Sequence, residues 1–182
     1  MSRALLLIDI QRDYFPGGAY PLVGADAAAE RAGELLAAFR AAGEPLLHVQ
    51  HVWDAPDAEF FRPGTPGIEP DSRVAPIPGE PVVIKEHPNA FRETDLADRL
   101  RSLGVEELVI AGMMTSMCVD ATVRAAADLG FTLAVAGDAC AAPDLEYAGT
   151  VVPGGQVHAA FLAALADSYA TVNAAAELAP ER

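Results

Sequence analysis

The sequence predicts an α/β fold in which a mostly parallel sheet is covered by helices on both faces. Three observations lead to this prediction. Short, almost wholly apolar runs alternate with helix-length segments along the chain. The runs lack the polar alternation of half-exposed strands, so they suit strands buried on both faces, as in parallel sheets. Glycine follows three of the helix-length segments, at a position where it commonly ends helices.

The predicted elements follow one another in regular alternation. We expect strands at residues 4–10, 45–52, 82–85, 108–111 and 132–135, with a short sixth at 171–172. We expect helices at residues 26–42, 95–103, 117–129 and 156–168. In the first of these helices, Leu35, Leu36 and Phe39 recur at helical spacing. Such alternation predicts right-handed crossovers within one domain, spanning residues 1–182.

Composition and charge narrow the class of protein. Apolar residues make up 52% of the chain and charged residues 21%, which is typical of a globular domain. The formal charge of -14, without a basic cluster, disfavours binding to nucleic acid. No run approaches the roughly 18 apolar residues of a membrane span, and the amino-terminal run is too short for a signal peptide. We therefore expect a cytoplasmic protein with no nucleic-acid or membrane partner, in which Cys118 and Cys140 do not form a disulfide.

One segment departs from the alternation. Residues 53–81 contain seven prolines and show no periodicity. A loop of this length inside a compact domain is usually functional or disordered. It also carries Trp53, Phe60 and Phe61. We interpret it as a lid or pocket wall, or as an oligomer contact.

Three reactive side chains fall at the ends of predicted strands. Asp9 closes the first strand, Lys85 closes the third, and Cys118 follows the fourth at the start of a predicted helix. In open α/β sheets, ligands bind outside the carboxyl ends of the strands. Each residue also has an ordinary interpretation, since Asp9 could cap a helix, Lys85 could lie on the surface and Cys118 could be a small buried hydrophobe. Their joint placement favours a reactive site.

The three groups suit nucleophilic catalysis. A helix amino terminus and a nearby ammonium both lower the pKa of a thiol. A carboxylate within reach takes the thiol proton and later delivers it to a leaving amine. Backbone N–H groups at the start of the same helix can stabilise the oxyanion of a tetrahedral intermediate.

The motifs around these residues resemble those of the isochorismatase-like cysteine hydrolase family. They are Leu-Leu-Ile-Asp-Ile-Gln-Arg-Asp-Tyr-Phe at 6–15, Lys85 with Phe91, Ala-Gly-Met-Met-Thr-Ser-Met-Cys-Val at 111–119, and the continuation at 120–131 with Asp138. The likeness covers nearly the whole chain. It implies a three-layer α/β/α fold with a six-stranded, mostly parallel sheet in Rossmann-type order. It also implies self-association into dimers or larger assemblies.

The resemblance assigns roles to particular residues. It implies a catalytic triad of Asp9, Lys85 and Cys118. It further implies a cis peptide bond between Met113 and Met114, which would direct the Met114 N–H, with that of Cys118, into an oxyanion hole.

Four residues are assigned to the substrate pocket. The family likeness implies that Tyr14 and Phe91 border it. Trp53, which lies just past the second strand, and Met113, which precedes the implied oxyanion donor, are assigned to substrate binding with them. Ligand pockets are commonly apolar and aromatic, which suits these residue types.

The histidines argue against a metal. Nicotinamidases of this family carry an Asp-x-His pair after the second strand, where this chain has His48-Val-Gln-His51-Val-Trp-Asp54. Residues three apart on a strand face opposite sides, so His48 and His51 are poorly placed to share one ion. We expect no metal and no other cofactor. His87 and His158 are solitary and are expected on the surface or in packing.

The cysteine also narrows the chemistry. Family members that hydrolyse the vinyl ether of isochorismate generally lack the nucleophilic cysteine, whereas this chain has Cys118. The sequence therefore predicts hydrolysis of a C–N bond, in a small amide, carbamoyl or ureido compound, through a thioester. Two alternatives stay open. One is ether hydrolysis that uses Asp9 without covalent attack, and the other is a non-enzymatic or redox-sensing protein of the same fold.

Overall fold

The computed structural model describes residues 2–180, which form a six-stranded sheet, a two-stranded hairpin and flanking helices. The strands are β1 (Arg3–Ile8), β2 (Leu46–His51), β3 (Val82–Lys85), β4 (Glu107–Met113), β5 (Thr132–Ala141), β6 (Leu145–Tyr147), β7 (Thr150–Val152) and β8 (Thr171–Asn173). The helices are α1 (Ala25–Ala42), α2 (Leu96–Ser102), α3 (Asp120–Asp128), α4 (Gly154–Ser168) and α5 (Ala175–Leu178). None of these helices is long and apolar enough to cross a membrane.

The large sheet is parallel throughout, with strand order β3-β2-β1-β4-β5-β8. This is the predicted three-layer α/β/α fold in Rossmann-type order. Strand β1 lies near the middle, and its residues from Ala4 to Ile8 are buried on both faces. The continuous apolar run that predicted β1 therefore reflects burial on two sides.

Two hydrophobic cores lie on the two faces of the sheet. One contains the inner face of α1 and Ala175 of α5, packed against alternate residues of β1 and β4. The other contains apolar residues of α2, α3 and α4, packed against the remaining alternate residues of the same strands. Because the strands of the large sheet are parallel, their carboxyl ends lie together at one edge of the sheet, between the two cores.

The structure corrects several predicted boundaries. Strand β5 continues to Ala141, well beyond the predicted end at residue 135, because Gly137 and Asp138 continue the strand although both residue types usually end one. The β6–β7 hairpin was not predicted, since its strands are only three residues long and mostly exposed. Helix α3 begins at Asp120 and not at residue 117, because a separate π-helical turn precedes it.

The long loop at residues 53–81 is firmly attached to the body of the protein. The buried Asp13 carboxylate accepts hydrogen bonds from the N–H groups of Phe61, at 2.7 Å, and Ala19, at 3.1 Å. Phe61 itself is fully buried in the first core. At the far end of the loop, Glu80 pairs with Arg40 at 2.8 Å. A lid movement of this loop and an oligomer contact through it stay predictions.

Candidate active site

The structure brings Asp9, Lys85 and Cys118 together at the carboxyl edge of the sheet. The Lys85 Nζ atom lies 2.6 Å from Oδ2 of Asp9 and 3.3 Å from Sγ of Cys118. All three residues are at most 2% exposed. A thiol, a carboxylate and an ammonium therefore share one buried site, as their positions in the sequence predicted.

Each reactive side chain is held by the end of a strand. Asp9 directly follows β1 and adopts a left-handed conformation with a φ of 51°, which Asp tolerates better than most residues. Lys85 is the last residue of β3. Cys118 lies in a π-helical turn, Thr115–Val119, which begins two residues after the end of β4. Turns of this kind occur often at functional sites.

Gly112 brings β1 and β4 close together at the site. It pairs with Ile8 in the sheet and has a φ of 152°. A β-carbon at this position would collide with the carbonyl oxygen of Ile8, so the close approach requires glycine. The ends of the two strands that carry Asp9 and the cysteine turn are thereby brought side by side.

His51 is a fourth member of the cluster that the sequence did not predict to be there. It ends β2, opposite Lys85 in the sheet register, and its Nδ1 lies 2.8 Å from Nζ of Lys85. The same nitrogen is 3.8 Å from both Sγ of Cys118 and Oδ2 of Asp9. Because an ammonium only donates, Nδ1 of His51 is the acceptor and the ring proton lies on Nε2.

Gln11 fixes the backbone of His51. Its amide Nε2 donates to the carbonyls of His51, at 2.9 Å, and Ile68, at 2.8 Å, while its Oε1 accepts from the N–H of His51 at 2.8 Å. Gln11 is 1% exposed. A single buried amide thus links the turn after β1 to the end of β2 and to the long loop, which holds the imidazole in place.

The electrostatics favour a charged Asp9–Lys85 pair. Burial pushes the pKa of Asp9 upward, but the Lys85 ammonium at 2.6 Å outweighs it, so the pKa of Asp9 lies below its ordinary value. Burial likewise pushes the pKa of Lys85 downward, but the Asp9 carboxylate outweighs it, so the pKa of Lys85 is raised. Oδ2 of Asp9 forms the 2.6 Å ion pair with Lys85, whereas Oδ1 has no hydrogen-bond partner within residues 2–180.

The pKa of the Cys118 thiol differs from the sequence prediction. A helix start and an ammonium were expected to lower its pKa, but burial and then the Asp9 carboxylate raise the pKa well above the ordinary value, and Lys85 offsets this only in part. The cysteine lies within the π-helical turn that runs directly into α3. The resting site therefore holds a neutral thiol beside a carboxylate.

The side chains of Asp9, His51 and Cys118 also form a set of possible metal ligands. One donor atom of each lies within 4.8 Å of the others, and carboxylate, imidazole and thiolate are all zinc ligands. However, Nζ of Lys85 lies within 3.3 Å of an atom from each of the three. The ammonium occupies the position that a cation would need, so this set does not fit a metal while Lys85 is in place. His48 lies on the other side of β2, where its Nε2 contacts Glu80 at 2.9 Å.

A pocket of about 370 Å³ opens above Cys118. Its wall is aromatic and comes from the turn after β1 and from the long loop, with contributions from Tyr14, Tyr20, Trp53 and Phe60. Phe60 lies at the centre of this group, with its ring 4.9 Å from that of Tyr20 and 5.3 Å from that of Trp53. The loop therefore forms a pocket wall, and the predicted positions of Tyr14 and Trp53 at the pocket agree with the structure.

The remaining lining differs in part from the predicted set. Met114 and Met117 line the pocket, whereas Met113 is fully buried in the first core and does not. Phe91 is also absent from the lining, because its ring stacks on Phe131, with 6.2 Å between centroids, beside the second core. Contact of Met113 and Phe91 with the substrate stays a prediction.

The peptide bond between Met113 and Met114 is cis, as the resemblance implied. The turn that follows is closed by the Met114 carbonyl, which accepts from the N–H groups of Met117, at 3.0 Å, and Val119, at 3.1 Å. The hydroxyl of Thr115 contacts Nδ1 of His158 on α4 at 2.9 Å, so α4 supports the cysteine turn. The role of the Met114 and Cys118 N–H groups as an oxyanion hole stays a prediction.

One signal in the sequence identifies the site more directly than strand position. Lys85 is the only lysine in the chain, and the other basic residues are all arginine. A single lysine that is fully buried has a role that arginine does not fill, because a compact ammonium with three donors fits between three acceptors. No comparable signal marks His51 or Gln11.

A buried thiol, carboxylate and ammonium lie together at the carboxyl edge of a parallel sheet, an arrangement typical of enzymes of the α/β class that use a nucleophile. The family model for the isochorismatase domain matches residues 3–177. The chain therefore belongs to the isochorismatase family of hydrolases.

Individual relatives agree with this membership. An uncharacterized isochorismatase family protein of Bacillus subtilis, YddQ, is 48% identical over 172 residues, covering 94% of this chain and 96% of the relative. The crystal structure of an isochorismatase-type hydrolase from Oleispira antarctica matches with a TM-score of 0.93 and 51% identity, covering 97% of this chain and 95% of that one. Maleamate amidohydrolase of Pseudomonas putida is 35% identical over 142 residues, covering 70% of this chain and 67% of the relative.

Proposed function

We propose that the protein is a cysteine hydrolase that cleaves the C–N bond of a small amide, carbamoyl or ureido compound. The observation that carries the proposal is the buried contact of one ammonium with both a carboxylate and a thiol, at the floor of an aromatic pocket. The similarity to an amidohydrolase of Pseudomonas putida supports the bond type. We infer further that the pocket holds a small molecule and that no organic cofactor takes part.

Asp9 and Cys118 act together in the first half of the reaction. When the substrate carbonyl lies over Sγ, the free oxygen of Asp9 takes the thiol proton and the new thiolate attacks the carbonyl carbon. Lys85 contacts both groups and stabilises the negative charge as it moves from carboxylate to sulfur. The tetrahedral intermediate collapses, the C–N bond breaks, and the nitrogen leaves as ammonia or amine with the proton from Asp9.

Water completes the reaction. Asp9, again a carboxylate, takes a proton from a water molecule that attacks the thioester carbonyl. The C–S bond breaks, the acid product leaves, and Cys118 recovers its proton from Asp9. Each proton that leaves Cys118 or water thus passes through one carboxylate, which needs no oxidant, reductant or metal.

An ammonia-release screen tests this function. The screen covers simple amides, carbamoyl compounds and ureido acids, and the Cys118→Ala variant serves as the blank for each compound. Turnover by the wild type and none by Cys118→Ala is the expected result. Acid-quenched wild type should also show an intact-mass increase equal to the acyl group, since a thioester is formed. Full activity of Cys118→Ala, measured against a control without enzyme, would refute covalent catalysis and indicate that Asp9 activates water directly.

A further inference from the structure

The charge around the pocket mouth has one sign. Glu59 and Glu86 line the pocket and are exposed, and within residues 2–180 neither side chain has an ion-pair or hydrogen-bond partner. No arginine or lysine of the described chain lines this pocket. Lys85 lies beneath it, but the Asp9 carboxylate at 2.6 Å balances its charge. A ligand entering the pocket therefore meets two uncompensated negative charges.

The aromatic wall attracts the same type of ligand. Tyr20, Trp53 and Phe60 line the pocket, and Phe60 lies within 5.3 Å of both other rings, measured between centroids. The faces of aromatic rings carry negative electrostatic potential and bind ammonium and guanidinium groups. Glu59 immediately precedes Phe60 in the loop, and both residues line the pocket.

We propose that the pocket selects amides that carry a cationic group and discriminates against amides that carry a carboxylate, an inference that rests on the proposed hydrolysis at Cys118. The scissile carbonyl lies over Cys118, and the ammonium or guanidinium end points to Glu59, Glu86 and the rings. The formal charge of -14 adds a weaker, long-range attraction for cations.

The arginines near the site do not reverse this preference. Arg12 and Arg62 line a neighbouring cleft of about 740 Å³, which shares Glu59 and Phe60 with the pocket. Cys118 does not line that cleft. An anion held by these arginines would therefore lie in a cavity that Cys118 does not line.

Binding can be measured without turnover. Trp53 is the only tryptophan of the chain and lines the pocket, so ligand binding to the Cys118→Ala variant can be followed by its fluorescence. The probes are three benzamides with the same ring and a different para group: aminomethyl, which is cationic, methyl, which is neutral, and carboxylate. We expect the cationic probe to bind roughly tenfold more tightly than the carboxylate probe, as two exposed charges and ring contacts allow.

Two further variants locate the preference. In a Glu59→Gln/Glu86→Gln double variant on the same background, the ratio of the two Kd values should fall to about threefold or less, since only the rings remain. Arg62→Gln, which removes one exposed charge in the neighbouring cleft, should leave the ratio within about twofold of the parent. Added salt should reduce the ratio in the parent and not in the double variant.

The outcomes separate this inference from the proposed function. Equal Kd values, tighter binding of the carboxylate probe, or no binding of the cationic probe would overturn the inference. So would a ratio that survives in the double variant. Ammonia release by the wild type from any member of the screen tests hydrolysis separately, so a hydrolase without the charge preference and a cation-binding pocket without hydrolysis give different results.

Discussion

Nζ of Lys85 lies 2.6 Å from Oδ2 of Asp9, and neither side chain has any exposed surface. A buried ion pair is weak evidence for stability, because removing two charges from water costs as much as their attraction returns. The pair therefore needs a functional reason. Its third neighbour, the Cys118 thiol at 3.3 Å from Nζ, provides one, since charge can move between carboxylate and sulfur while the ammonium stays fixed.

Removing one partner of this ion pair should destabilise the protein more than removing both partners. Lys85→Met leaves the Asp9 carboxylate buried and unpaired, which we expect to lower the free energy of unfolding by about 3–5 kcal/mol. Asp9→Asn/Lys85→Met should recover much of that loss, because no charge is then buried, and asparagine tolerates the left-handed conformation of residue 9. Both variants should lack activity. Urea denaturation at pH 7 measures the difference.

An exposed pair supplies the comparison. Arg31 and Glu34 lie 2.6 Å apart on α1 with about half of each side chain exposed to solvent. Arg31→Met should change the free energy of unfolding by no more than about 0.5 kcal/mol. A Lys85→Met variant as stable as its double-variant partner would mean that Asp9 is not charged in the folded protein.

The sequence was sufficient to place Asp9, Lys85 and Cys118 at one site, because each closes or follows an apolar run and parallel strands share one carboxyl edge. It was insufficient for His51. The three-residue spacing from His48 correctly predicted that the two rings face opposite sides of β2, but which side meets the site depends on register. His51 pairs with Lys85 across β2 and β3, and a register is set by contacts far apart in the chain.

The pocket lining shows a similar limit. Trp53 could be predicted to lie at the pocket because it directly follows a predicted strand, whereas Tyr14 was assigned there by the family resemblance. The stacking of Phe91 on Phe131 could not be predicted, because the two residues are 40 positions apart in sequence. The pKa of Cys118 was also wrongly predicted, since neither the depth of burial nor the π-helical turn is visible in the residue pattern.

His51 should act on the reaction through Lys85. His51→Leu removes the acceptor of one ammonium N–H, and a lost hydrogen bond to a charged group is worth about 1.5–3 kcal/mol, so we expect kcat to fall by about 10- to 100-fold. His51→Asn keeps a short acceptor and should recover part of the rate. Steady-state ammonia release and urea denaturation are measured on each variant.

His48 is the control on the same strand. It contacts Glu80 on the other face of β2, so His48→Asn should leave kcat within about twofold, as expected for a residue away from the reacting atoms. If His48→Asn and His51→Leu reduced kcat equally, the effect would come from a distorted strand and not from the contact with Lys85.

The pH profile should be flat across neutral pH. The pKa of Asp9 is lowered, so the reactive carboxylate persists until pH falls below the ordinary aspartate range, and the acid limb lies there. The pKa values of Lys85 and Cys118 are both raised, so loss of their protons places the alkaline limb above pH 9. We expect kcat/KM to vary by no more than about threefold between pH 5.5 and 8.5. A limb inside this range that disappears in His51→Asn would identify the imidazole, and not Asp9, as the proton acceptor.

The Cys118 thiol of the resting enzyme should react slowly with alkylating agents. Removing the Asp9 carboxylate should accelerate this alkylation. Iodoacetamide attacks thiolates, and burial with the Asp9 carboxylate raises the pKa of Cys118, so at pH 7.5 alkylation should be at least about tenfold slower than in urea-unfolded protein. Asp9→Asn removes the carboxylate but keeps Lys85, so the pKa of Cys118 should fall and alkylation should accelerate while hydrolysis is lost.

A Cys140→Ala background leaves one thiol, so intact mass reports Cys118 alone. Faster alkylation of the wild type than of Asp9→Asn would show that the resting site holds a thiolate, and it would restore redox sensing as a function for this cysteine.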